Sequence, residues 1–508
     1  MPILTNAKYI CDIQQQAQYL LKGNTLQKQV VFYTLINYAG TAIGIVSALF
    51  IYPLDFAFSG TIRFVDNISQ MLYPIMVLGA SHALIKFYPA LEEQRRKELF
   101  NYSLLSIAVV SILVFGGLFA FNVIAKYEAA DLLYFAFPIA VALAFIDLFR
   151  KQAQDLQKLA IPTLFEKIIP KIALPVLFLL LVNRIIYISS ALYLYDAAFV
   201  LIFLLIGFYL FRHFKPGLNY RFKTLFGEIS RKDYFRYSLY SFAGSLGSLL
   251  AFRIDGIIIY NWIGEEANGI FANGVTLAST LQIPAIGMFA LYAPLISNYL
   301  KDGNFAELHV KYKEGARLML FIGAILFSCI VLGIEDLFRL LPAYEKLKLT
   351  IPIIQILGFS VLLNMATGFN TEIITYSKYY RFNMIAILSL IVVNIALNIY
   401  FLTSTDWGII GVAAASFISM ALFNIGKLAF IYRKFKLLPF DRSFALLAVI
   451  FAISGTAIYF LPETGMPLAD LVYKTGLSLA VNVIAVYKLR LVYQVNVTID
   501  KILGMLKR

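Results

Sequence analysis

The sequence predicts an all-α integral membrane protein with about 14 transmembrane helices. Three observations predict it. Hydrophobic residues make up 60% of the 508 residues, they are concentrated in segments mostly about 18–25 residues long, and only short polar loops separate those segments. Helices of that length cross a hydrocarbon core about 30 Å thick, and they satisfy their own backbone hydrogen bonds within it. The composition therefore excludes an ordinary water-soluble domain.

The predicted spans follow one another from residue 30 to residue 488. They cover residues 30–52, 66–88, 101–124, 131–149, 160–182, 190–211, 234–260, 268–297, 316–338, 350–374, 383–402, 408–431, 443–461 and 470–488. Charged residues interrupt the apolar pattern in the second, fifth and sixth spans, so these three are the least sharply defined. Residues 1–29 lack an apolar core and are interpreted as a polar cytoplasmic N-terminus without a cleavable signal peptide.

The Lys and Arg residues predict the orientation. With a cytoplasmic N-terminus, about 29 of the 43 lie in cytoplasmic segments and about 7 in external loops. The cytoplasmic clusters are Arg95–Lys97, Arg150–Lys151, Arg212–Lys232 and Arg433–Lys436. Both termini are therefore predicted to be cytoplasmic. The net charge of +14 fits an anionic inner leaflet facing these clusters, so no nucleic-acid partner is expected.

An internal repeat predicts two parallel six-helix halves followed by two C-terminal helices. Tyr33–Gly40 in the first span matches Tyr237–Gly244 in the seventh, at the same depth and in the same direction. Parallel halves are related by an axis along the membrane normal and hold the substrate between them; chance similarity of two apolar helices is the alternative. The predicted domains are the N-terminus 1–29, the first half 30–211, a basic cytoplasmic linker 212–233, the second half 234–431, two additional transmembrane helices 432–488 and a cytoplasmic tail 489–508.

Nothing in the sequence supplies the chemistry of an enzyme. The external loops are too short for the catalytic domains typical of membrane glycosyltransferases and polymerases. His82, His213 and His309 lie on different segments, so a His-based metal site is not expected. No Gly-x-x-x-x-Gly-Lys loop is present to cradle a nucleotide. We therefore expect transport, with no catalytic residue, cofactor or metal.

The fifth span holds the densest set of charges inside a predicted helix. Lys167 and Lys171 are four residues apart and share a face, where like charges repel. Each cation costs about 2.5–3.5 kcal/mol at the bilayer centre, so an anion bound in a hydrated cavity would relieve both. Pro162, Pro170 and Pro175 suggest that this helix is bent or broken where it lines such a cavity. The alternative is that Lys167 extends to the cytoplasmic interface.

Other charges lie in the second and seventh spans. Arg253 and Asp255 are two residues apart, so they point in different directions and have separate partners, or one of them lines the cavity. Lys86 lies four residues after His82, and extension of Lys86 to the interface competes with a role in binding. Asp66 is placed near a helix end, where it would be solvated. Asn394 and Asn398 are expected to hydrogen-bond neighbouring helices.

Several sequence fragments, in conserved order along the chain, resemble the bacterial oligosaccharide (O-antigen type, Wzx-like) flippases of the multidrug/oligosaccharidyl-lipid/polysaccharide (MOP) exporter superfamily. The fragments are Leu26–Gln29, Tyr52–Pro53, Leu78–Pro89, Arg253–Asp255 followed by Gly269–Phe271, Gly368–Arg381, and Asn394–Phe440 with Trp407–Ser416 and Leu437–Phe440. Each is weak alone, but together they cover nearly the whole chain after about Gly23. The sequence departs from the usual pattern in its polar N-terminus and at Asp406–Gly408, where many relatives have a Pro-containing turn.

The resemblance implies a MOP/MATE-like fold and a multi-pass protein of the bacterial plasma (inner) membrane. It implies translocation of an undecaprenyl-pyrophosphate-linked oligosaccharide to the periplasmic leaflet for O-antigen, capsule or exopolysaccharide synthesis. Membrane lipids and the polysaccharide polymerase and assembly machinery are the implied partners besides the lipid-linked oligosaccharide. Because related flippases use basic cavity residues, Lys167, Lys171, Arg253 and Lys86 are candidates for pyrophosphate binding. Asp255 and Glu166 are candidate coupling or pairing acids.

Three alternatives remain open on the sequence alone. A flippase for peptidoglycan precursor or teichoic acid is the nearest. An ion-coupled multidrug efflux pump of the same superfamily typically has twelve spans and acidic residues in its N-terminal cavity, whereas this chain is basic in its fifth span. A polymerase or ligase would need a periplasm-exposed set of carboxylates and arginines.

The charge asymmetry generates a prediction on topology. Reporter tags at residue 2, within the linker 212–232 and after Arg508 should report a cytoplasmic location, while a tag near Glu463 should report the periplasm. Alkaline phosphatase and green fluorescent protein fusions measure the two locations with opposite signals. A periplasmic linker would contradict the two-half organisation.

Overall fold

The structure is a computed structural model that describes residue 36 and residues 38–88, 91–156 and 158–506. Over these residues it contains helices and no strand. Within the described part of the chain, 10 helices are long and apolar enough to cross a membrane, or up to 11 if one bent pair forms a single span. The prediction of an all-α, multi-span membrane protein is confirmed. The number of about 14 spans stays a prediction.

The helices are labelled here in chain order. They are α1 (Tyr38–Leu54), α2 (Phe56–Val77), α3 (Ala80–Phe87), α4 (Glu93–Ala125), α5 (Ala130–Asp155), α6 (Ala160–Val182), α7 (Ile188–His213), α8 (Phe222–Glu228), α9 (Arg231–Trp262), α10 (Glu265–Ser279), α11 (Ile283–Lys301), α12 (Phe305–Arg339), α13 (Tyr344–Leu347), α14 (Ile351–Ala366), α15 (Asn370–Tyr376), α16 (Tyr380–Ser404), α17 (Gly408–Phe435), α18 (Arg442–Tyr459), α19 (Pro467–Lys488) and α20 (Tyr493–Leu506).

Some predictions fall outside the described residues. They concern the polar N-terminus 1–29, the fragment Leu26–Gln29, the start of the first span and half of the repeat segment Tyr33–Gly40. The predicted domain boundaries, including the linker 212–233, also stay predictions.

The chain forms two compact units. The first holds the described residues up to Val46 together with Ile68–Ser245, and the second holds Ser47–Asn67 together with the described residues from Leu246 onward. Helices α1, α2 and α9 therefore each contribute one part to each unit. The second half of α1 and the first half of α2 belong to the same unit as the C-terminal helices.

The first unit is organised around α5, which packs against α3, α4 and α7. Small residues and aromatic rings build this core. Phe149 of α5 stacks on Phe203 of α7 with 5.7 Å between ring centroids, and Phe100 of α4 lies 6.2 Å from Phe149. A Cβ on Gly207 of α7 would lie 3.3 Å from the Phe149 ring. The absence of a side chain at Gly207 thus lets α7 approach α5 closely. Helix α6 also packs against α7.

The second unit is organised around α12, which packs against α14, α18 and α19. Its core includes Met319 and Ala324 of α12, Met365 of α14 and Leu447 of α18, each at most 4% exposed. A second layer is formed by α16 and α17, the latter also contacting α14. This arrangement places α16 and α17 beside α9, as the polar contacts of Asp255 described below require.

The second predicted span differs from the structure at its start. It was expected over 66–88, but α2 begins at Phe56, so the span starts ten residues earlier. Asp66 consequently lies in the middle of α2, and its placement near a helix end was wrong. The reason is that Arg63 and Asp66 lower the apolar character of this stretch, while their partners lie far away in sequence: Arg63 donates to Thr276 at 3.4 Å.

The same span is bent between α2 and α3 by 49°. Leu78 and Gly79 interrupt it with positive φ values of 46° and 77°. Gly79 also touches α9, because a Cβ there would lie 2.0 Å from the carbonyl oxygen of Ser238. Both the backbone conformation and the close approach therefore require glycine at this position.

The fifth span was expected to be bent or broken; it is one continuous helix, so the expectation of a break was wrong. Pro162 lies in the first turn of α6, where its missing N–H would have no partner in any case. Pro170 and Pro175 lie inside α6. Each proline removes one backbone hydrogen bond, but the helix continues past both of them to Val182.

The basic segment between α7 and α9 is bound to α4. Glu98, fully buried near the start of α4, accepts hydrogen bonds from Arg95 at 2.8 Å and from Asn219 at 3.0 Å. Asn101 donates to the carbonyl oxygens of Gly217 and Asn219, both at 3.0 Å. These bonds hold the segment against α4, and they provide the buried Glu98 carboxylate with hydrogen-bond donors.

The bend between α2 and α3 generates a prediction on stability. Gly79→Ala should lower the thermal midpoint of the purified protein, because a positive φ strains alanine by about 1–3 kcal/mol and the methyl group would collide with the Ser238 backbone. Fluorescence-detected gel filtration after heating measures the midpoint. Gly116→Ala is the matched control, since a Cβ at Gly116 meets nothing within 4 Å. An unchanged midpoint for Gly79→Ala would contradict the required glycine.

Candidate functional site

The charged residues of the fifth span meet a cation of the fourth span in the first unit. Arg150 of α5 donates from Nη1 to both carboxylate oxygens of Glu166 in α6, at 2.8 and 2.6 Å. Asp147, one turn before Arg150, lies 3.8 Å from its Nη2 atom. Lys167 Nζ lies 3.4 Å from Glu166 Oε1. We call Asp147, Arg150, Glu166 and Lys167 the α5–α6 charge cluster.

The side chains of the cluster are partly exposed, and the cluster extends toward α3. The Lys167 side chain is 39% exposed, and those of Arg150 and Glu166 are 29% and 18% exposed. His82 of α3 is within electrostatic range of Asp147, Arg150 and Lys151, and its Nε2 atom lies 3.2 Å from the Ser245 hydroxyl. The cluster is therefore a partly exposed group of mixed charges on otherwise apolar helices.

Lys171 lies one turn further along α6. A Cβ on Gly40 of α1 would lie 3.2 Å from Lys171 Cδ and 3.4 Å from its Nζ. The side chain thus passes over the backbone of α1 where a glycine leaves room for it. Lys167 and Lys171 share a face of α6 as predicted, and Lys167 forms an ion pair with Glu166.

Lys86 is exposed in the last turn of α3. Its Nζ atom lies 3.9 Å from the centre of the Tyr237 ring and 5.4 Å from that of Phe87. This cation–π arrangement accounts for Lys86 at an exposed helix end. No contact among the described residues joins Lys86 to the α5–α6 charge cluster.

Arg253 belongs to the second unit and is paired there. Its Nη1 atom donates to Asp66 Oδ2 at 3.0 Å and to Asn67 Oδ1 at 3.1 Å. The Arg253 side chain is 31% exposed and that of Asp66 13%. The ion pair joins α9 to the middle of α2, which explains how both charges are tolerated within apolar helices.

Asp255 has a different set of partners, as its spacing from Arg253 predicted. Its carboxylate is buried and accepts a hydrogen bond from Asn398 at 2.7 Å and another from the Ser416 hydroxyl. Asn398 also donates to the side chain of Asn394. The expected helix-bridging role of the two asparagines is observed, since the network joins α9 to α16 and α17. Among the described residues no Lys or Arg forms an ion pair with Asp255.

Sequence reasoning missed Lys427 of α17, which is 2% exposed. Its Nζ atom donates to the Thr371 hydroxyl at 2.8 Å and lies 3.8 Å from the centre of the Phe423 ring. Glu372 acts on it electrostatically. The sequence signal that could have indicated a partner for Lys427 is the pair Thr371 and Glu372, which follows the break between α14 and α15. In the part of the chain that the structure describes, no group of three or more His, Cys, Asp or Glu side chains could hold a metal ion.

Contacts between the segment Ser47–Asn67 and the C-terminal helices were also missed. A Cβ on Gly60 would lie 1.7 Å from the Glu265 carbonyl oxygen, and one on Gly269 would lie 1.9 Å from that of Phe56. The backbones of α2 and α10 therefore touch. Four side-chain hydrogen bonds surround this crossing: Asn268 to the Gly60 carbonyl at 2.8 Å, Asn273 to the Ala48 carbonyl at 3.1 Å, Thr61 to Glu265 at 3.1 Å and Lys346 to the Leu54 carbonyl at 2.8 Å.

Comparison with known proteins gives a family and a fold. The model of the family described as "polysaccharide biosynthesis protein" matches residues 26–300, more than half of the chain. The uncharacterized membrane protein EpsK of Bacillus subtilis (strain 168) is 24% identical over 227 residues, which are 43% of this chain. The match likewise spans 43% of the length of EpsK.

Two groups of solved structures share the fold. The lipid II flippase MurJ in an inward closed conformation has a TM-score of 0.64 at 15% identity, covering 90% of this chain and 99% of MurJ. An inward-facing multidrug resistance MATE family transporter of the MOP superfamily has a TM-score of 0.61 at 16% identity, covering 80% of this chain and 94% of that one. The expected MOP/MATE-like fold is confirmed.

The Arg253 pair generates a prediction. Arg253→Gln should reduce the amount of inserted protein, because leaving a buried charge without its partner costs about 3–5 kcal/mol. The double exchange Arg253→Asp with Asp66→Arg should restore the amount, since it keeps the pair with its ends reversed. Quantitative immunoblotting of purified membranes measures it, and Arg236→Gln, at an exposed position of α9, is the control.

The export of surface polysaccharide in the same strains separates two roles of Arg253. Export restored together with protein shows that pairing with Asp66 is its role. Restored protein without export assigns Arg253 to the substrate. A double exchange that restores neither would contradict the pairing.

Proposed function

We propose that this chain, which belongs to the polysaccharide biosynthesis protein family, is a flippase for a polyprenyl-pyrophosphate-linked oligosaccharide. It moves this lipid from the cytoplasmic to the periplasmic leaflet of the bacterial plasma membrane by alternating access. The observation that carries the proposal is the set of cations on α5 and α6: Arg150, Lys167 and Lys171 against Glu166 and Asp147. The fold shared with MurJ and the MATE transporter supports transport rather than catalysis.

The physical task fits this chemistry. A pyrophosphate and many sugar hydroxyls cannot enter hydrocarbon unaided, because each unpaired polar group costs several kcal/mol there. A partly hydrated cationic site inside a helix bundle removes that cost while the polyprenyl tail stays among the lipids. Cations that repel each other within α6 are expected only where an anion is bound during part of the cycle.

The proposed roles follow from the contacts. Lys167 and Lys171 bind the pyrophosphate, since they share one face of α6 and Lys167 is partly exposed. Lys86 lies at an exposed helix end and would meet the anion first. Arg253 would bind it only after leaving Asp66. Among the residues that the structure describes, the hydrogen-bond donors to Asp255 are neutral, which makes it the better candidate for a coupling acid, while Glu166 is a pairing acid.

The cellular setting is part of the same proposal. Both termini lie in the cytoplasm of a bacterium, as the Lys and Arg distribution indicates. The exported glycan serves O-antigen, capsule or exopolysaccharide synthesis, where a polymerase and assembly machinery act on it after translocation. An efflux pump for organic cations is the less suitable function, because the cations of α5 and α6 would repel such a substrate.

One genetic experiment tests the function. In a strain without a chromosomal copy of the gene, lipid-linked oligosaccharide should accumulate and surface polysaccharide should be lost, and the wild-type gene should reverse both. Mass spectrometry of extracted lipids and immunoblotting of surface glycan measure the two. Accumulation of lipid II would assign the chain to peptidoglycan precursor, and altered drug sensitivity with no accumulated glycolipid would assign it to efflux.

Complementation of the same strain tests the lysines. Lys167→Gln and Lys171→Gln should each lower export about 10- to 100-fold, the loss expected for one hydrogen bond to a charged group of about 1.5–3 kcal/mol. Lys→Arg at either position should keep part of the activity, because guanidinium also binds phosphate. Lys232→Gln, at an exposed position, is the control. Full export by the double Lys→Gln variant, with normal protein amount, would contradict the proposed site.

A further inference from the structure

Arg150 was assigned from the sequence to a cytoplasmic cluster, but the structure places it inside the α5–α6 charge cluster. One guanidinium nitrogen bridges both oxygens of Glu166 at 2.8 and 2.6 Å. Arginine in this position also matches the geometry of phosphate oxygens, which it binds as readily as a carboxylate. The partner that Arg150 has in this structure is therefore of the same chemical class as the proposed substrate anion.

The charges of the cluster balance without any ligand. Arg150 and Lys167 carry two positive charges, and Asp147 and Glu166 carry two negative charges. Lys171 lies one turn further along α6, and His82 of α3 is within electrostatic range of Asp147, Arg150 and Lys151. Cations inside a membrane protein need compensation at every stage of a transport cycle. The two carboxylates supply it when no substrate is present.

We propose that Arg150 is a further substrate-binding residue and that Glu166 is a built-in competitor, which occupies Arg150 in the empty protein and is displaced by the substrate's pyrophosphate. The inference rests on the proposed function and concerns the same site. Once displaced, Glu166 stands beside the pyrophosphate with like charge and weakens its binding. A transported substrate must leave as well as enter, so a competitor of this kind keeps affinity low enough for release.

The partial exposure of both partners supports exchange. Arg150 and Glu166 are 29% and 18% exposed, so neither side chain is fully enclosed by the protein. The carboxylate of Glu98 in α4, by contrast, is 0% exposed and is closed to exchange. Lys167, 3.4 Å from the same carboxylate, loses its partner together with Arg150 and can follow the anion.

The test measures binding of farnesyl pyrophosphate to the purified full-length protein in nanodiscs of zwitterionic lipid. Glu166→Gln should bind this probe about tenfold or more tightly than wild type, because the substitution removes the carboxylate that competes with the probe for Arg150. Arg150→Gln should bind it about tenfold or more weakly, and Arg150→Lys should fall between. Glu93→Gln, which removes the carboxylate of the exposed Glu93–Lys97 pair, should leave affinity unchanged.

A double-mutant cycle separates competition from a structural role. If Glu166 competes for Arg150, the gain in affinity of Glu166→Gln should be smaller in the presence of Arg150→Gln than in its absence. A purely structural pair predicts no gain in affinity for Glu166→Gln and a lower thermal midpoint for both single variants. That result would overturn the proposal, as would failure of both wild type and Glu166→Gln to bind the probe.

Two controls identify the bound group. Farnesyl monophosphate should bind more weakly than farnesyl pyrophosphate, and phosphatidylglycerol nanodiscs should not abolish the difference between Glu166→Gln and wild type. If the gain instead follows phosphatidylglycerol, the site binds an anionic lipid headgroup and the proposal is overturned. Export in the complemented strain is read separately: Glu166→Gln should lower it despite tighter binding. If the deletion strain accumulated no lipid-linked oligosaccharide, the proposed function would be contradicted while these binding results would stand. The two failures are therefore distinguishable.

Discussion

The rest of this structure depends on one constraint: a charge or polar group inside hydrocarbon must have a partner supplied by the protein. Arg253 has Asp66 and Asn67, and Asp255 has Asn398 and Ser416. Each of these partners lies on a different helix from the group it serves. The charges that look unfavourable within single spans thus determine which helices pack together.

The two units use this constraint differently. In the second unit Asp255 and Lys427 are buried and hydrogen-bond neutral side chains, while Arg253 and Asp66 form a partly exposed pair. In the first unit the cations of α5 and α6 stand against the carboxylates of Asp147 and Glu166, and the paired side chains are partly exposed. Removing a partner of Asp255 or Lys427 is therefore expected to affect folding, whereas in the proposed site of the first unit a substrate anion would take the place of a carboxylate.

The helices could be predicted from the sequence because length and apolar character suffice for a span, and those properties are local. The shared face of Lys167 and Lys171 and the separate partners of Asp255 followed from spacing alone. What could not be predicted depends on tertiary contacts. Arg63 and Asp66 hid the start of α2 because Thr276 and Arg253 lie about 200 residues away in sequence. The pairing of Arg150 with Glu166 was not predicted either, since a cation at a predicted helix end is normally solvated.

The contacts of Ser47–Asn67 join this segment to helices much later in the chain. At the crossing of Gly60 and Gly269 two backbones touch with no side chain between them. Beside this crossing Phe56 packs in one apolar cluster with Ile270 and Phe271. Five side-chain hydrogen bonds join the segment to later helices, and at about 0.5–1.5 kcal/mol each they contribute about 2.5–7.5 kcal/mol. Apolar packing and these bonds together explain why a segment from the start of the chain belongs to the second unit.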